Sequence, residues 1–498
     1  MTGRLSRRTL LAGLVVAPLV ASVACADNST GPAETMDGLR PLPIPPLAPS
    51  TVEGGVRRFG LDIRAGTTEI RAGQPIPTRG YSGSILGPTL RARRGEQVAV
   101  DVRNNLSEAT TVHWHGMHLP AVYDGGPHQT IPPGGVWSPS WTVRQQAATL
   151  WYHPHPHGHT QHQAYRGLAG LFLLDDDESD RLGLPKDYGV DDIPLVVQDK
   201  KFTPDGLLDE TDDEKMGLLG TVVTTNGIAG TYLTVTAGRV RLRILNGSTM
   251  RLYNFGFEDG SGFHIIAGDG GLLAEPVPAR RLVLSPGERA EIIVENSPGA
   301  RKMLRAFPFP DNAGIVPAPG IPGFGLGDAF DVLQLRAADA LDSSPALPAS
   351  LAALAPMDLT GASTRTMTLQ PTKINDVVMD MERIDFQVPL GTTEIWELTN
   401  DRDWLHNFHI HDSMFRILDI GGHPPPPELA GWKDTVNVPP RGSVRLAIRF
   451  TDYADPRWPY MYHCHMMFHE DLGMMGQFLV LAPDQQPADV IGSGHGTH

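Results

Sequence analysis

The chain is short of cysteine, of positive charge and of long apolar runs, and each shortage excludes a class of protein. Of its two cysteines, Cys25 and Cys464, the first lies in a segment patterned as an export signal, so no disulfide framework is available. Lysine and arginine number 41 against 56 aspartates and glutamates, a formal net charge of −15. Binding nucleic acid needs a concentrated positive surface, so no nucleic-acid partner is expected. The apolar run from Leu10 to Ala24, LLAGLVVAPLVASVA, is too short for a good membrane span. Long helical periodicity is also missing. Instead there are 54 glycines and 44 prolines among 498 residues, too many for a helical protein and typical of short strands joined by turns.

The N-terminus has a charged start, RLSRRTLL (4–11), an apolar middle and a small-residue end. Arg7 and Arg8 after Ser6 resemble the twin-arginine signal of bacterial proteins exported already folded, a route that suits a protein acquiring metal before export. Residues 1–26 are therefore expected to be a signal, and the mature protein periplasmic or otherwise extracytoplasmic. Two processing routes stay open: cleavage after Ala26, or lipidation of Cys25 to give a membrane-anchored lipoprotein. Residues 27–50 read as a flexible linker.

From residue 57 onward, short segments alternate β-branched and polar residues: EQVAVDVR (96–103), RVRLRIL (239–245), RAEIIVE (289–295), TEIWELT (393–399) and SVRLAIRF (443–450). Period two over such lengths predicts half-buried strands. The Pro/Ala-rich stretch Ala337 to Pro356 reads as a connector, and the acidic run DDDESD (175–180) as a solvated loop. These breaks divide the chain into 51–178, 190–338 and 363–484, each the size of one β-sandwich, with 485–498 as a tail.

The nineteen histidines are the anomaly. Most fall in four segments: HWHGMH (113–118), HPHPHGH (153–159), HNFHIH (406–411) and HCHMMFHEDLGM (463–474). Each holds a His-x-His pair: His113/His115, His153/His155, His409/His411 and His463/His465. On a strand, residues two apart project from one face, about 6.5–7 Å apart, so such a pair can bind one metal or two neighbouring ones. A lone pair is weak evidence, but four from opposite ends of the chain are specific.

The last segment adds a softer site. Cys464 lies between His463 and His465, so on extended backbone its sulfur points to the face opposite both imidazoles. A thiolate with two imidazoles and a weak axial thioether is the ligand set of a blue electron-transfer copper. His469 and Met474 follow at short distances, and His406 supplies the second imidazole. One strand would then carry a copper on one face and touch a second cluster on the other, with few bonds for an electron to cross. Eight paired histidines can hold three further coppers while leaving positions open for oxygen. Reducing O2 to water takes four electrons, which is why several metals are needed.

With these motifs the sequence is similar to the multicopper oxidases: laccases, bilirubin oxidases and bacterial cuprous oxidases. The resemblance spans almost the whole mature chain and is closest to periplasmic copper-efflux oxidases, in DGGPHQTIPPGG (124–135), GLAGLFLLDD (167–176), DDIPLVVQDKKF (191–202), LRILNGS (242–248) and AGWKDTV (430–436). It implies an all-β fold of three cupredoxin-like Greek-key sandwich domains, with a trinuclear copper cluster between the first and third. It implies four copper ions. The type 1 copper would take His406, Cys464, His469 and axial Met474, and the type 2 copper His113 and His409. The type 3 pair would take His115, His153, His155, His411, His463 and His465. Asp124 and Glu470 resemble the family's acidic residues that deliver protons to reduced oxygen.

The implied activity is laccase-like oxidation of phenols, Cu(I) or Fe(II) with O2 as acceptor, by a monomer. One departure bears on substrate. Copper-efflux oxidases carry a Met- and His-rich insertion, whereas residues 357–405 here contain only Met357, Met367, Met379 and Met381. An open approach to His406 or His469, with Trp404 as a wall, is therefore expected. Met379, Asp380, Met381 and Asp403 are the residues on which a substrate-copper site would rest. His118, His128, His157, His159 and His162 have no assigned role. A dedicated cuprous oxidase is the alternative activity. Copper-free structural relatives in bacterial cell division lack the ligand residues, and copper nitrite reductases have two domains and lack the fourth histidine pair.

Overall fold

The protein is described by a computed structural model covering residues 38–318 and 321–493. The expected signal with Cys25, and His495 and His498 of the tail, lie outside the described residues. The fold is all-β: six sheets pack as three cupredoxin-like sandwich domains. Each domain ties strands distant in sequence into two parallel pairs. In the first, Val56–Arg71 runs beside Gln97–Asn104 and Leu90–Arg93 beside Gly170–Asp175. In the second the pairs are Asp192–Lys200 with Arg239–Asn246, and Thr231–Ala237 with Phe330–Asp342. In the third they are Ser363–Gln370 with Thr393–Asn400, and Phe386–Pro389 with Met475–Leu481. Among the described residues no helix is long and apolar enough to cross a membrane.

Strand patterning explains the third domain directly. Thr393–Asn400 alternates in burial, with Trp396 and Leu398 in the core and Thr393 and Glu397 toward solvent. Arg239–Asn246 and Arg289–Glu295 depart from the half-buried expectation, being covered on both faces. Leu242 and Ile244 enter the second domain's core, while the arginine face packs on the first domain. There Arg243 bridges Asp192 at 2.6 and 3.0 Å, Glu291 at 2.9 Å and Thr149 at 2.9 Å, and Arg241 pairs with Glu291. Buried charges persist because each is paired and hydrogen-bonded.

Three other expectations are corrected. The described part of the expected linker over 27–50 is structured: Arg40–Pro41 pairs in parallel with Thr231 and Tyr232 of the second domain, and Leu42 is buried in that core. The pairing closes an otherwise open sheet edge. The expected connector from Ala337 begins late, because Phe330–Asp342 continues past a bulge beside Val235–Ala237, and Leu351 further on packs with Leu184 and Ile266. Within the acidic run, Asp177–Asp180 forms one helical turn, capped by Asp176 accepting from the Ser179 backbone N–H.

The histidine segments lie on neighbouring strands. In the first domain, His113–His115 pairs with Ala148–His153 so that His113 faces His153. In the third, His406–Ile410 pairs with Tyr460–His463 so that His409 faces His463. The two strand pairs meet at the seam between these domains.

Candidate metal centre

Eight buried imidazoles converge at the seam. His463 Nε2 lies 3.1 Å from His155 Nε2 and 3.1 Å from His411 Nε2. The opposite nitrogens face oxygens: His411 Nδ1 lies 2.6 Å from Asp124 Oδ2, and His463 Nδ1 3.2 Å from the Cys464 carbonyl and 3.2 Å from Glu470 Oε2. His155 Nδ1 lies 3.4 Å from Glu470 Oε1. Where Nδ1 faces an acceptor oxygen, as in His411 and His463, it carries the hydrogen, and the Nε2 lone pairs of those rings face each other beside His155 Nε2. Such an arrangement is repulsive without a cation between them. Burial keeps these rings neutral, pushing His155 and His463 down to about 3 and His411 well below the usual range.

A second trio faces it. His153 Nε2 lies 3.4 Å from both His115 Nδ1 and His465 Nε2, and its own Nδ1 lies 2.8 Å from the Pro154 carbonyl. His113 and His409 complete the set. Their Nδ1 atoms lie 3.0 Å from the Asp124 carbonyl and 2.9 Å from the Asp434 carbonyl. Their Nε2 atoms are buried with no hydrogen-bond partner among the described residues. Orphaned buried nitrogens are costly unless something binds them. The residues therefore fit a group of metal ions bound through nitrogen.

On the other face of the Tyr460–His463 strand end lies a second site. Cys464 Sγ is 3.7 Å from His406 Nδ1 and 3.7 Å from His469 Nδ1, and all three residues are fully buried. Burial, with a small push from Glu470, holds the thiol up at about 12, so a bound cation is what would make it a thiolate. Met474 is buried in the same apolar cluster as Cys464. Met475 faces away, packing with Met379, Met461 and Met381. The two faces expected of the His-Cys-His segment are thus real: sulfur to one side, imidazoles to the other.

Among the described residues the open approach expected beside this site is not seen. His406 and His469 are fully buried, and domain-two side chains Ile315, Phe324 and Leu326 join the cluster around Cys464, with Met216 packed against it. Trp404 does form a wall, its ring 5.8 Å from His469 and 5.8 Å from Phe324. Met379 and Met381 lie in the methionine cluster, and Asp403 pairs with Arg441.

Sequence reasoning missed Asp434, Arg289 and Asn407. Asp434 Oδ1 lies 3.0 Å from His115 Nε2, and Arg289 grips both its oxygens at 2.8 and 2.6 Å. Asn407 Oδ1 accepts from the His465 backbone N–H at 2.7 Å and lies 3.5 Å from the Cys464 sulfur. The AGWKDTV segment was the one signal for Asp434, as a likeness without a role. Of the histidines left unassigned, His118 bridges Asp412 at 2.7 Å and Asp452 at 3.1 Å, His128 bonds Gln477, and His162 sits between Glu210 and Asp212.

Known proteins agree with this geometry. Family models described as multicopper oxidase match residues 62–179 and 351–484. The chain belongs to the multicopper oxidase family. It is 33% identical to a multicopper oxidase of Staphylococcus aureus over 87% of this chain and 91% of that protein. It is also 34% identical to the cell division protein FtsP of Escherichia coli, over 96% of this chain and 99% of that one. Among solved structures, a laccase-like multicopper oxidase from the lignin-degrading bacterium Ochrobactrum, with oxidase activity towards lignin model compounds, superposes with a TM-score of 0.80 at 34% identity, covering 89% of this chain and 100% of that one. Multicopper oxidases bind copper and use O2 with a reducing substrate.

Proposed function

We propose that this member of the family is an active, laccase-like oxidase that removes single electrons from phenolic or metal-ion donors and reduces O2 to water. Four coppers would be held: type 1 by His406, Cys464, His469 and Met474, type 2 by His113 and His409, and type 3 by the two opposed histidine trios. When bound, they supply one-electron acceptance at the cysteine and four-electron reduction of oxygen at the cluster. The observation that carries the reading is the set of facing, unpaired imidazole nitrogens on one side of Cys464 with a buried sulfur on the other.

The chain's own residues would do the rest. Cys464 and its peptide neighbours His463 and His465 form the short covalent path between the sites. Asp124 lies 2.6 Å from His411 Nδ1, and Glu470 lies 3.2 Å from His463 Nδ1 and 3.4 Å from His155 Nδ1, where carboxylates could relay protons to reduced oxygen. Trp404, Phe324 and Met216 exclude water from the type 1 side. Segments 51–178, 190–338 and 363–484 are the three domains of this reading, and the place of action is extracytoplasmic.

The likeness to FtsP favours a second reading, a copper-free structural protein. Copper analysis after loading decides between them: about four coppers per chain support the oxidase, and none overturns it. Oxygen consumption with phenols, cuprous ion and ferrous ion in parallel then names the donor. Turnover of cuprous ion alone would replace the laccase-like reading with a dedicated cuprous oxidase.

A further inference from the structure

We infer that Asp434, held by Arg289 of the second domain, decides which nitrogen of His115 faces the trinuclear site. It thereby ties the second domain to a metal centre to which that domain gives no ligand. The inference rests on the copper reading above.

His115 is the reversed ring of the eight. The other seven turn Nε2 inward, whereas His115 presents Nδ1 to His153 and turns Nε2 away, 3.0 Å from Asp434 Oδ1 and 3.2 Å from Thr435 Oγ1. The carboxylate accepts the Nε2 hydrogen, so the lone pair is left on Nδ1. The backbone of Asp434 serves a second imidazole, its carbonyl accepting from His409 Nδ1, and the His115 and His409 rings stack at 3.8 Å. One residue thus orients two rings, one through its side chain and one through its main chain.

Asp434 is in turn fixed by Arg289, whose five N–H donors are all used. Nη1 donates to Asp434 Oδ1 and the Gly287 carbonyl, Nη2 to Asp434 Oδ2 and the Asp269 carbonyl, and Nε to the Thr149 carbonyl. Those acceptors come from all three domains, and Thr149 lies on the strand that pairs with His115 through Trp151. A lysine has no such fork. The approach also requires Gly116, the residue after His115: at its φ of +81° a Cβ would stand 2.5 Å from Asp434 Oδ2 and 2.7 Å from Arg289 Nη2.

The test compares Asp434→Ala and Arg289→Lys with Arg243→Lys. Arg243 is an equally buried arginine between the first two domains that touches none of these histidines. The readouts are copper content at limiting copper, the electron paramagnetic resonance of the type 2 copper, the blue absorption and thermal stability. Asp434→Ala should weaken copper retention at the trinuclear site roughly 10–100-fold and change the type 2 resonance while leaving the blue absorption intact. Arg289→Lys should do the same to a smaller degree. Arg243→Lys should lower thermal stability yet leave the type 2 resonance as in the wild type. An unchanged resonance and copper content in Asp434→Ala would overturn the inference while the copper reading stands. So would Arg243→Lys disturbing the type 2 copper as much as Arg289→Lys. A wild-type protein that binds no copper would remove the reading and the inference together.

Discussion

The two candidate metal sites share one peptide segment and differ in almost everything around it. The candidate donors on the Cys464 side all come from the third domain and sit in an apolar cluster that includes Phe324, with Trp404 and Met216 packed against it. The histidine side is assembled across a domain seam, and Asp124, Glu470 and Asp434 stand against its imidazoles. A site that only passes electrons gains from a rigid, dry surround, since nothing but the electron must move. On the proposed function the histidine side would make water and need protons, which fits the carboxylates that stand against its imidazoles.

The largest expected effect isolates the electron side. Cys464→Ser should abolish the blue absorption and all turnover, because the charge-transfer band needs the thiolate, while the trinuclear coppers stay bound. A variant that remains blue would break the assignment. Next comes the proton side. Asp124→Asn should keep the blue absorption and cut turnover roughly 100-fold, and Glu470→Gln should act similarly. Stopped-flow reduction of the type 1 copper at the wild-type rate would place the loss after electron entry, whereas slowed reduction would contradict the division of labour.

A smaller effect concerns the cover. Trp404→Ala should raise turnover of a bulky phenol relative to a small one by up to roughly tenfold, by opening the wall beside His469. Equal gains for both donors would mean that Trp404 does not gate by size. The smallest effect lies at the seam, in stability. Burial opposes charge on His118, but Asp412 and Asp452 outweigh it and raise the imidazole to about 9. A raised folded pKa contributes stability fully present below about 6.5 and lost as pH rises through about 9, worth at most about 3 kcal/mol. His118→Gln should therefore melt several degrees below the wild type near pH 6, and the gap should close by about pH 10. A gap that is constant with pH would show that His118 contributes by packing alone.

Much of this was legible in the chain. Period-two segments such as TEIWELT became strands because alternation places every second side chain in a core, whatever the neighbours. The His-Cys-His segment divided its donors between two faces for the same reason. Patterning failed where a second domain covers the polar face: RVRLRIL and RAEIIVE read as half-exposed, and the ion pairs that bury Arg241, Arg243 and Glu291 come from residues about 50 positions away or more. The open approach failed likewise, since the missing insertion in the third domain says nothing about Phe324 and Met216 of the second.

The sequence by itself determined the candidate donor residues and the chemistry open to them, because side-chain type and one- or two-residue spacing are local properties of an extended backbone. Tertiary structure alone decided which nitrogens meet, which acids touch them and what covers the cysteine side. Those depend on strands from different domains brought within about 3 Å, a hydrogen-bond distance that no spacing along the chain encodes. Asp434 is the clearest case: an ordinary aspartate at the bend before the Thr435–Val438 strand, it is defined by Arg289 on one side and His115 on the other.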